Sequence, residues 1–320
     1  MVRNPKDTQS MKLEPLALAP IYKRKIWGGR NIQRLYGREL PADDIGESWE
    51  VADLEQGVSV VQGGPLDGST LRQLVASMGA DLLGDAKPQE GGFGLLVKLL
   101  DANESLSLQV HPDRAAVDRL PGAALKTECW YVLESRDGFI YKGLKPGVRP
   151  DDFRKAIENN TVGDCVIRHD VRAGDFHWLP AGTVHALGAG VVVAEVQTPS
   201  DTTYRVSDWG RGREIHIDLA MQCIHFDDED LSPPGASGDV LVSCEFFTVA
   251  RHTVAAAKPA GKCAVVMAVS PVGRVRIDYG QKKMTLAPGQ TVLIPAALDA
   301  SIIAESCEYL LVTLGSGEVK

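Results

Sequence analysis

Apolar positions in this chain come mostly in short runs cut by Gly, Pro and Asp. They read GVSVVQGG (57–64), GFGLLVKLL (92–100), CWYVLES (129–135), GFIYKGL (138–144), VVVAEVQT (191–198), GRVRIDYG (273–280) and TVLIPA (291–296). Runs of this length, rich in β-branched and aromatic residues and separated by turn formers, predict a mainly β protein built as a sandwich or barrel. Helical periodicity is confined to three stretches. STLRQLVASMGADLLG (69–84) opens on a Ser/Thr cap and repeats Leu71, Leu74, Val75 and Leu82 at helical spacing. RPDDFRKAIENN (149–160) places Asp151 and Asp152 in its first turn, where they complement the helix dipole, and sets Phe153 and Ile157 four apart. REIHIDLAMQCI (213–224) is the third.

The stretch DDEDLSPPGASGD (227–239) combines charge, Pro and Gly and predicts a domain boundary, giving units 1–230 and 231–320. An internal echo supports the division. GDFHWLPAGTVH (174–185) and GQTVLIPAALDA (289–300) align Gly174 with Gly289 and Pro180 with Pro295, while His185 falls on Ala300. A duplicated β unit whose second copy lost its polar chemistry accounts for this, so function is sought in the first copy.

Composition narrows the partners. At 320 residues, with 44% hydrophobic and 24% charged content, the chain is that of a soluble globular protein. A formal net charge of −8 argues against nucleic acid or an anionic membrane as principal partner. It leaves room for a small anionic substrate held by a few cations. Six scattered cysteines without a C-x-x-C pair read as reduced thiols of a cytoplasmic protein. The leading MVRNPKDTQS is polar and reads as a loose leader rather than a secretory signal.

Candidate chemistry begins at SLQVHPD (107–113). Gln109 and His111 are two apart and share a face if the segment is a strand. Glu128 opens the strand of LKTECWYV, and His185 follows the turn of LPAGTVH. Together these four offer two imidazole nitrogens and two oxygens, a donor set suited to Zn²⁺ or another first-row divalent ion. Spacing alone leaves each residue an ordinary alternative: a solvated amide or carboxylate, or a histidine capping a loop. His177 is the competing histidine, but its phase with Leu179 reads as core. Lys98 is a charge inside an apolar strand, which calls for a partner unless it blunts a sheet edge. Lys126 shares the face of Glu128, and Ser107 that of Gln109. Asp201 and Arg205, four apart, fit a plain surface ion pair.

IWGGRNIQRLYG, IGESWEVAD, VKLLDANESLSLQVHPD, KTECWYVL, GDFHWLPAGTVHALG and EVQTPSDTTYRVSDWGR resemble, in order, the signatures of the type I phosphomannose isomerases, zinc enzymes of the cupin superfamily. The resemblance runs through roughly residues 15–225, and the short interval between Glu128 and Gly174 is similar to the compact bacterial form. It implies two cupin-type (jelly-roll) β-barrels or sandwiches with a few short helices, the second free of metal. It implies one zinc held by Gln109, His111, Glu128 and His185. It also implies an aldose–ketose isomerase acting on a small phosphorylated sugar through a cis-enediol, with Trp27, Glu47, Lys98, Ser107, Lys126, Asp201 and Arg205 at the site. Arg205 is then expected to steady developing negative charge, with cations including Lys126 holding the phosphate. Lys126, Asp201, Glu47 and water at the metal compete as proton carrier. A cupin oxygenase and a non-catalytic sugar-binding cupin are the alternatives. The Gln ligand and the surrounding cations count against the first, and the intact donor set against the second.

Overall fold

The computed structural model of the chain describes residues 13–89, 92–227, 230–253 and 256–317. The polar leader expected at residues 1–10 lies outside them. Four principal sheets make two sandwiches. In the first, a six-stranded sheet runs in the order Phe176–Leu179, Glu128–Ser135, Val191–Gln197, Leu96–Ala102, Ile45–Val51, Ile21–Gly29. A five-stranded sheet faces it, in the order Val166–Asp170, Phe139–Leu144, His185–Leu187, Leu108–Val110, Tyr204–Ser207. The second sandwich pairs another six-stranded sheet with a three-stranded one made of Lys282–Leu286, Arg274–Tyr279 and Ala300–Glu305. Neither closes into a barrel; the expected cupin-type sandwich is the architecture found.

Burial explains the pattern of the runs. Leu96–Ala102 and Val191–Gln197 are buried at every position, because both faces of their sheet are covered. The inner face packs Trp130, Val132, Leu100 and Val193. The outer face packs Cys129, Tyr131, Ala194 and Val196 against Val249, Val265, Leu310 and Val312 of the second sandwich. A sheet enclosed on both sides needs continuous rather than alternating apolar sequence. The N-terminal Leu16–Ala17 pairs with Thr291–Ile294, adding a strand from the start of the chain to the second sandwich.

Three short helices, Arg114–Arg119, Pro150–Glu158 and Ile217–Met221, cover the outer face of the five-stranded sheet through Ala116, Phe153, Ile157 and Ala220. The expected helix at 69–84 forms as Leu71–Met78, followed by a turn of helix at Ala80–Leu83. Thr70 and Gln73 close a reciprocal capping box at its start. The expected helix at 213–224 shortens to Ile217–Met221. Its leading residues are drawn to the adjacent strand instead, where His216 N donates to Arg205 O at 2.7 Å and Arg205 N donates to His216 Nδ1 at 3.0 Å. GVSVVQGG yields only the two-residue strand Gly57–Val58 and isolated bridges at Val60 and Val61. The echo is visible in the backbone: Gly174 N donates to Val132 O and Gly289 N to Ala268 O. His185 and Ala300 each begin the strand after the turn.

Candidate metal centre and cleft

The residues expected at the site come from distant segments that backbone and side-chain hydrogen bonds tie together. Lys126 N donates to Pro112 O, Gly182 N to His111 O, and Thr198 N to Thr127 O. The Thr127 hydroxyl accepts from Ala181 N at 3.1 Å. The turn Pro180–Thr183 depends on Gly182, whose φ of +90° suits a residue without Cβ; an added Cβ would also lie 2.6 Å from the His225 ring. The strand Leu108–Val110 ends one residue before His111, which continues the line toward this turn. Gln109 lies opposite His185 on one neighbour and opposite Arg205 on the other.

His111, Glu128 and His185 converge, with ligand atoms within 4.8 Å of one another. Glu128 Oε2 is 3.3 Å from His111 Nε2, and Oε1 is 3.1 Å from His185 Nε2. Each imidazole donates its Nδ1 hydrogen to a main-chain carbonyl, His111 to Thr202 O at 2.9 Å and His185 to Thr183 O at 2.8 Å. That bond fixes the tautomer and turns an Nε2 lone pair toward the centre, the outer-shell device typical of metal-bound histidine. His111 Nε2 and both Glu128 oxygens are buried without a hydrogen-bond partner. Burial, then the Lys126 ammonium, push the His111 imidazole down to about 3. Burial opposes ionisation of Glu128, but Lys126 and the histidines outweigh it and hold the carboxyl well below its ordinary range. A neutral imidazole and an ionised carboxylate, buried and unsatisfied at one point, fit a divalent cation. The Gln109 amide lies 3.4 Å from His185 Nε2; turned through 180°, it presents its oxygen to the same centre.

A cleft of about 250 Å³ opens beside this cluster, and Trp27, Glu47, Lys98, Ser107, Gln109, Lys126, Asp201 and Arg205 all line it. Lys126 Nζ is 3.3 Å from Glu128 Oε2, so it stands at the metal end. Ser107 donates to Gln109 Oε1 at 3.2 Å. Lys98 is not an edge lysine: it is 3% exposed, faces Glu195 across the pairing of Leu96–Ala102 with Val191–Gln197, and lies 2.9 Å from its carboxylate. Gln197 Oε1 accepts from it at 2.7 Å and Glu47 is 4.0 Å away. Burial would lower the Lys98 ammonium, but Glu195 and Glu47 outweigh burial and raise it. Glu47 is in turn bound by Lys25 at 2.8 Å and by the Trp49 indole at 2.6 Å. Burial alone would raise its carboxyl; Lys98 and Lys25 instead bring it down to about 2. Arg205 donates to the Glu214 carbonyl, and its buried Nε has no partner.

His177 does not join the centre. It shares a register row with Trp130, Glu195 and Lys98, its ring 6.4 Å from that of His169, at the edge of the sandwich away from the cleft lining. Sequence reasoning did not single out Lys25, Glu195, Thr203 and Arg213, which also line the cleft. Glu195 carried the same signal as Lys98, a charge inside an apolar run. Lys25 and Arg213 carried none, lying in segments that read as ordinary polar surface.

The family model for the catalytic domain of type I phosphomannose isomerase matches residues 16–134. The mannose-6-phosphate isomerase of Streptococcus mutans is 34% identical over 295 residues, covering 88% of this chain and 92% of its own. This chain belongs to the type I phosphomannose isomerases. The mannose-6-phosphate isomerase ManA of Bacillus subtilis is 32% identical over 309 residues, 90% of this chain and 95% of that one. A crystal structure of the mannose 6-phosphate isomerase from Bacillus subtilis superposes with a TM-score of 0.84 at 27% identity, covering 94% of this chain and 99% of that one. Type I phosphomannose isomerases are metal-dependent enzymes of phosphorylated sugars, and this chain carries a His111–Glu128–His185 cluster whose geometry could hold a metal ion. No helix among the described residues is long and apolar enough to cross a membrane.

Proposed function

We propose that this enzyme interconverts mannose 6-phosphate and fructose 6-phosphate, with one Zn²⁺ held by Gln109, His111, Glu128 and His185. The observation that carries the reading is the buried, unsatisfied donor set at the end of a cleft lined by five cations, Lys25, Lys98, Lys126, Arg205 and Arg213. Mixed imidazole and oxygen donors suit zinc. When bound, the ion supplies Lewis-acid polarisation of a sugar oxygen. The chain's own residues do the rest. Trp27 and Ser107 bound the cleft and orient the sugar. Lys98, fixed by Glu195, Gln197 and Glu47, offers a rigid positive charge rather than a mobile proton. Glu47, held near 2 and engaged by Lys25 and Trp49, is better suited to holding the two lysines than to accepting a proton from carbon at neutral pH. This supports Lys126 or Asp201 as carrier of the proton between C2 and C1, with Arg205 steadying the charge of the enediol. The substrate class and six free cysteines support a cytoplasmic setting.

The test is a coupled assay with mannose 6-phosphate on protein whose metal content is measured before chelation, after it, and after zinc is restored. Turnover that disappears with the metal and returns with zinc is expected. Metal-replete protein inert toward mannose 6-phosphate would exclude the reading, and recovery with iron or manganese but not zinc would exclude the choice of ion.

A further inference from the structure

The strand that carries Gln109 ends on an irregular pair. Tyr204 lies opposite Val110, Arg205 opposite Gln109 and Ser207 opposite Leu108, so Val206 is an extra residue that bulges the outer strand beside the centre. Past Ser207 the ladder stops. Counted on, its register would set Trp209 opposite Leu106. The Trp209 side chain makes that contact in place of the backbone: the indole Nε1 donates to Leu106 O at 2.6 Å. On its other side Leu106 N donates to Leu187 O at 2.8 Å. The segment leading into Gln109 is therefore tied from both neighbours.

Trp209 is an unusual residue for its place. Arg211 N donates to Asp208 O at 3.1 Å, closing a tight turn in which Trp209 and Gly210 take φ of +54° and +81°. This is the type I′ pattern, which favours Asn-Gly, and a bulky aromatic at its first central position is an outlier. Such strain persists where surrounding contacts impose it, and it gathers at functional sites. The contacts here are the bond to Leu106 and the Tyr141 ring, 5.7 Å away between ring centres. Trp209 is still 36% exposed, so burial alone does not explain the residue.

What the indole grips leads straight to the metal ligands. Leu106, Ser107 and Gln109 all line the cleft. Ser107, 4% exposed, holds its hydroxyl 3.2 Å from Gln109 Oε1. With the amide flipped, the same contact becomes an amide N–H donated to the hydroxyl, and the oxygen is left for the centre. Where Ser107 stands thus decides which end of the amide faces His185.

We propose that Trp209 is a positioning residue of the metal centre: by gripping Leu106 it fixes Ser107, and through Ser107 the orientation of Gln109. This rests on the reading of Gln109 as a zinc ligand in an isomerase.

The experiment compares full-length wild type with two variants. Trp209→Phe keeps a ring against Tyr141 and loses the N–H. Trp209→Asn gives the turn its preferred Asn-Gly pair, with a side chain too short to reach Leu106 O. Tyr141→Leu is the control, loosening the other contact of the indole while leaving the tie. A melting curve establishes that each protein is folded, and competition with a chromogenic chelator reads zinc affinity. Affinity should fall about 10- to 100-fold in both Trp209 variants, the range for an outer-shell partner. It should stay within about twofold of wild type in Tyr141→Leu. In a Gln109→Ala background, Trp209→Phe should lower affinity by less than about twofold more, because both changes act on one interaction. Affinity close to wild type in folded Trp209→Phe and Trp209→Asn overturns the proposal. So does a full further loss in the Gln109→Ala background, or a loss in Tyr141→Leu as large as that in Trp209→Phe. Turnover of mannose 6-phosphate at saturating zinc separates the two readings. A wild type inert toward that sugar, with zinc affinity falling as expected in the Trp209 variants, supports the tie and overturns the isomerase reading alone.

Discussion

Replacing Lys98 with Met tests whether the charges beneath the cleft hold each other in place. Lys98, Glu195 and Glu47 are 3%, 3% and 7% exposed. After Lys98→Met, Glu47 keeps Lys25 and Trp49, while Glu195 keeps only the Trp130 indole, 3.0 Å from Oε1. Removing one partner of a buried pair costs about 3–5 kcal/mol, because the other charge is left uncompensated. At about 2.1 cal/mol/K per residue, 320 residues unfolding as a unit have an unfolding entropy near 0.7 kcal/mol/K. The expected fall in Tm is therefore roughly 4–7 °C. The double variant Lys98→Met, Glu195→Met removes both charges and should return to within about 2 kcal/mol of wild type, since apolar replacement of a buried pair is close to neutral. Calorimetric melting at pH 7.5 with equal zinc content measures both. A Lys98→Met protein melting within 1 °C of wild type, or a double variant whose loss is the sum of the two singles, would refute the reasoning. The double variant should still be inactive with mannose 6-phosphate, which separates the role of Lys98 in the cleft from its part in stability.

Lys126→Met should lower kcat/KM for mannose 6-phosphate about 10²- to 10⁴-fold, the range for a positioned acid–base group; an unchanged kcat/KM would remove Lys126 from the chemistry. Burial, then Lys142 and His169, hold the His177 imidazole down to about 4, below its ordinary 6.5, so the unfolded chain binds the proton more readily than the folded one. Stability should thus decline as pH falls from 6.5 toward 4, by about 2 kcal/mol at pH 5. In His177→Phe the gap in Tm between pH 7.5 and pH 5 should narrow accordingly, and an equal gap would count against this cause. Gly46→Ala would place a methyl 2.6 Å from Lys25 Cβ and 2.7 Å from the Trp27 ring. It should cost about 1–3 kcal/mol and raise KM by disturbing the mouth of the cleft, seen together in denaturant melts and steady-state kinetics.

Much of the candidate metal centre was legible because its proposed donors are residue types that strands do not need. A Gln and a His two apart beside a Pro, a Glu opening a strand of aromatics, and a His behind a Pro-Gly turn each stand out locally. The buried salt link was half legible: Lys98 drew notice inside LLVKLL, yet its partner in VVVAEVQ carried the same mark and was not joined to it. A sequence shows that a charge interrupts an apolar run, but not which strand lies beside it. Pairing Lys98 with Glu195 requires the register of two strands almost a hundred residues apart.

The order of short apolar runs and turns determined that this chain would be a mainly β sandwich protein, and periodicity located its helices near Leu71–Met78 and Pro150–Glu158. Those features are local: alternation, capping and turn formation depend on neighbours within a few residues. The tertiary structure alone decided that Leu16–Ala17 joins the second sandwich, that the segment before Ile217 binds a strand instead of extending a helix, and that Lys25, Glu195 and Arg213 meet the same cleft. Such choices depend on burial and hydrogen bonding between segments far apart, where a single register sets which polar side chains are enclosed and which charges they must answer.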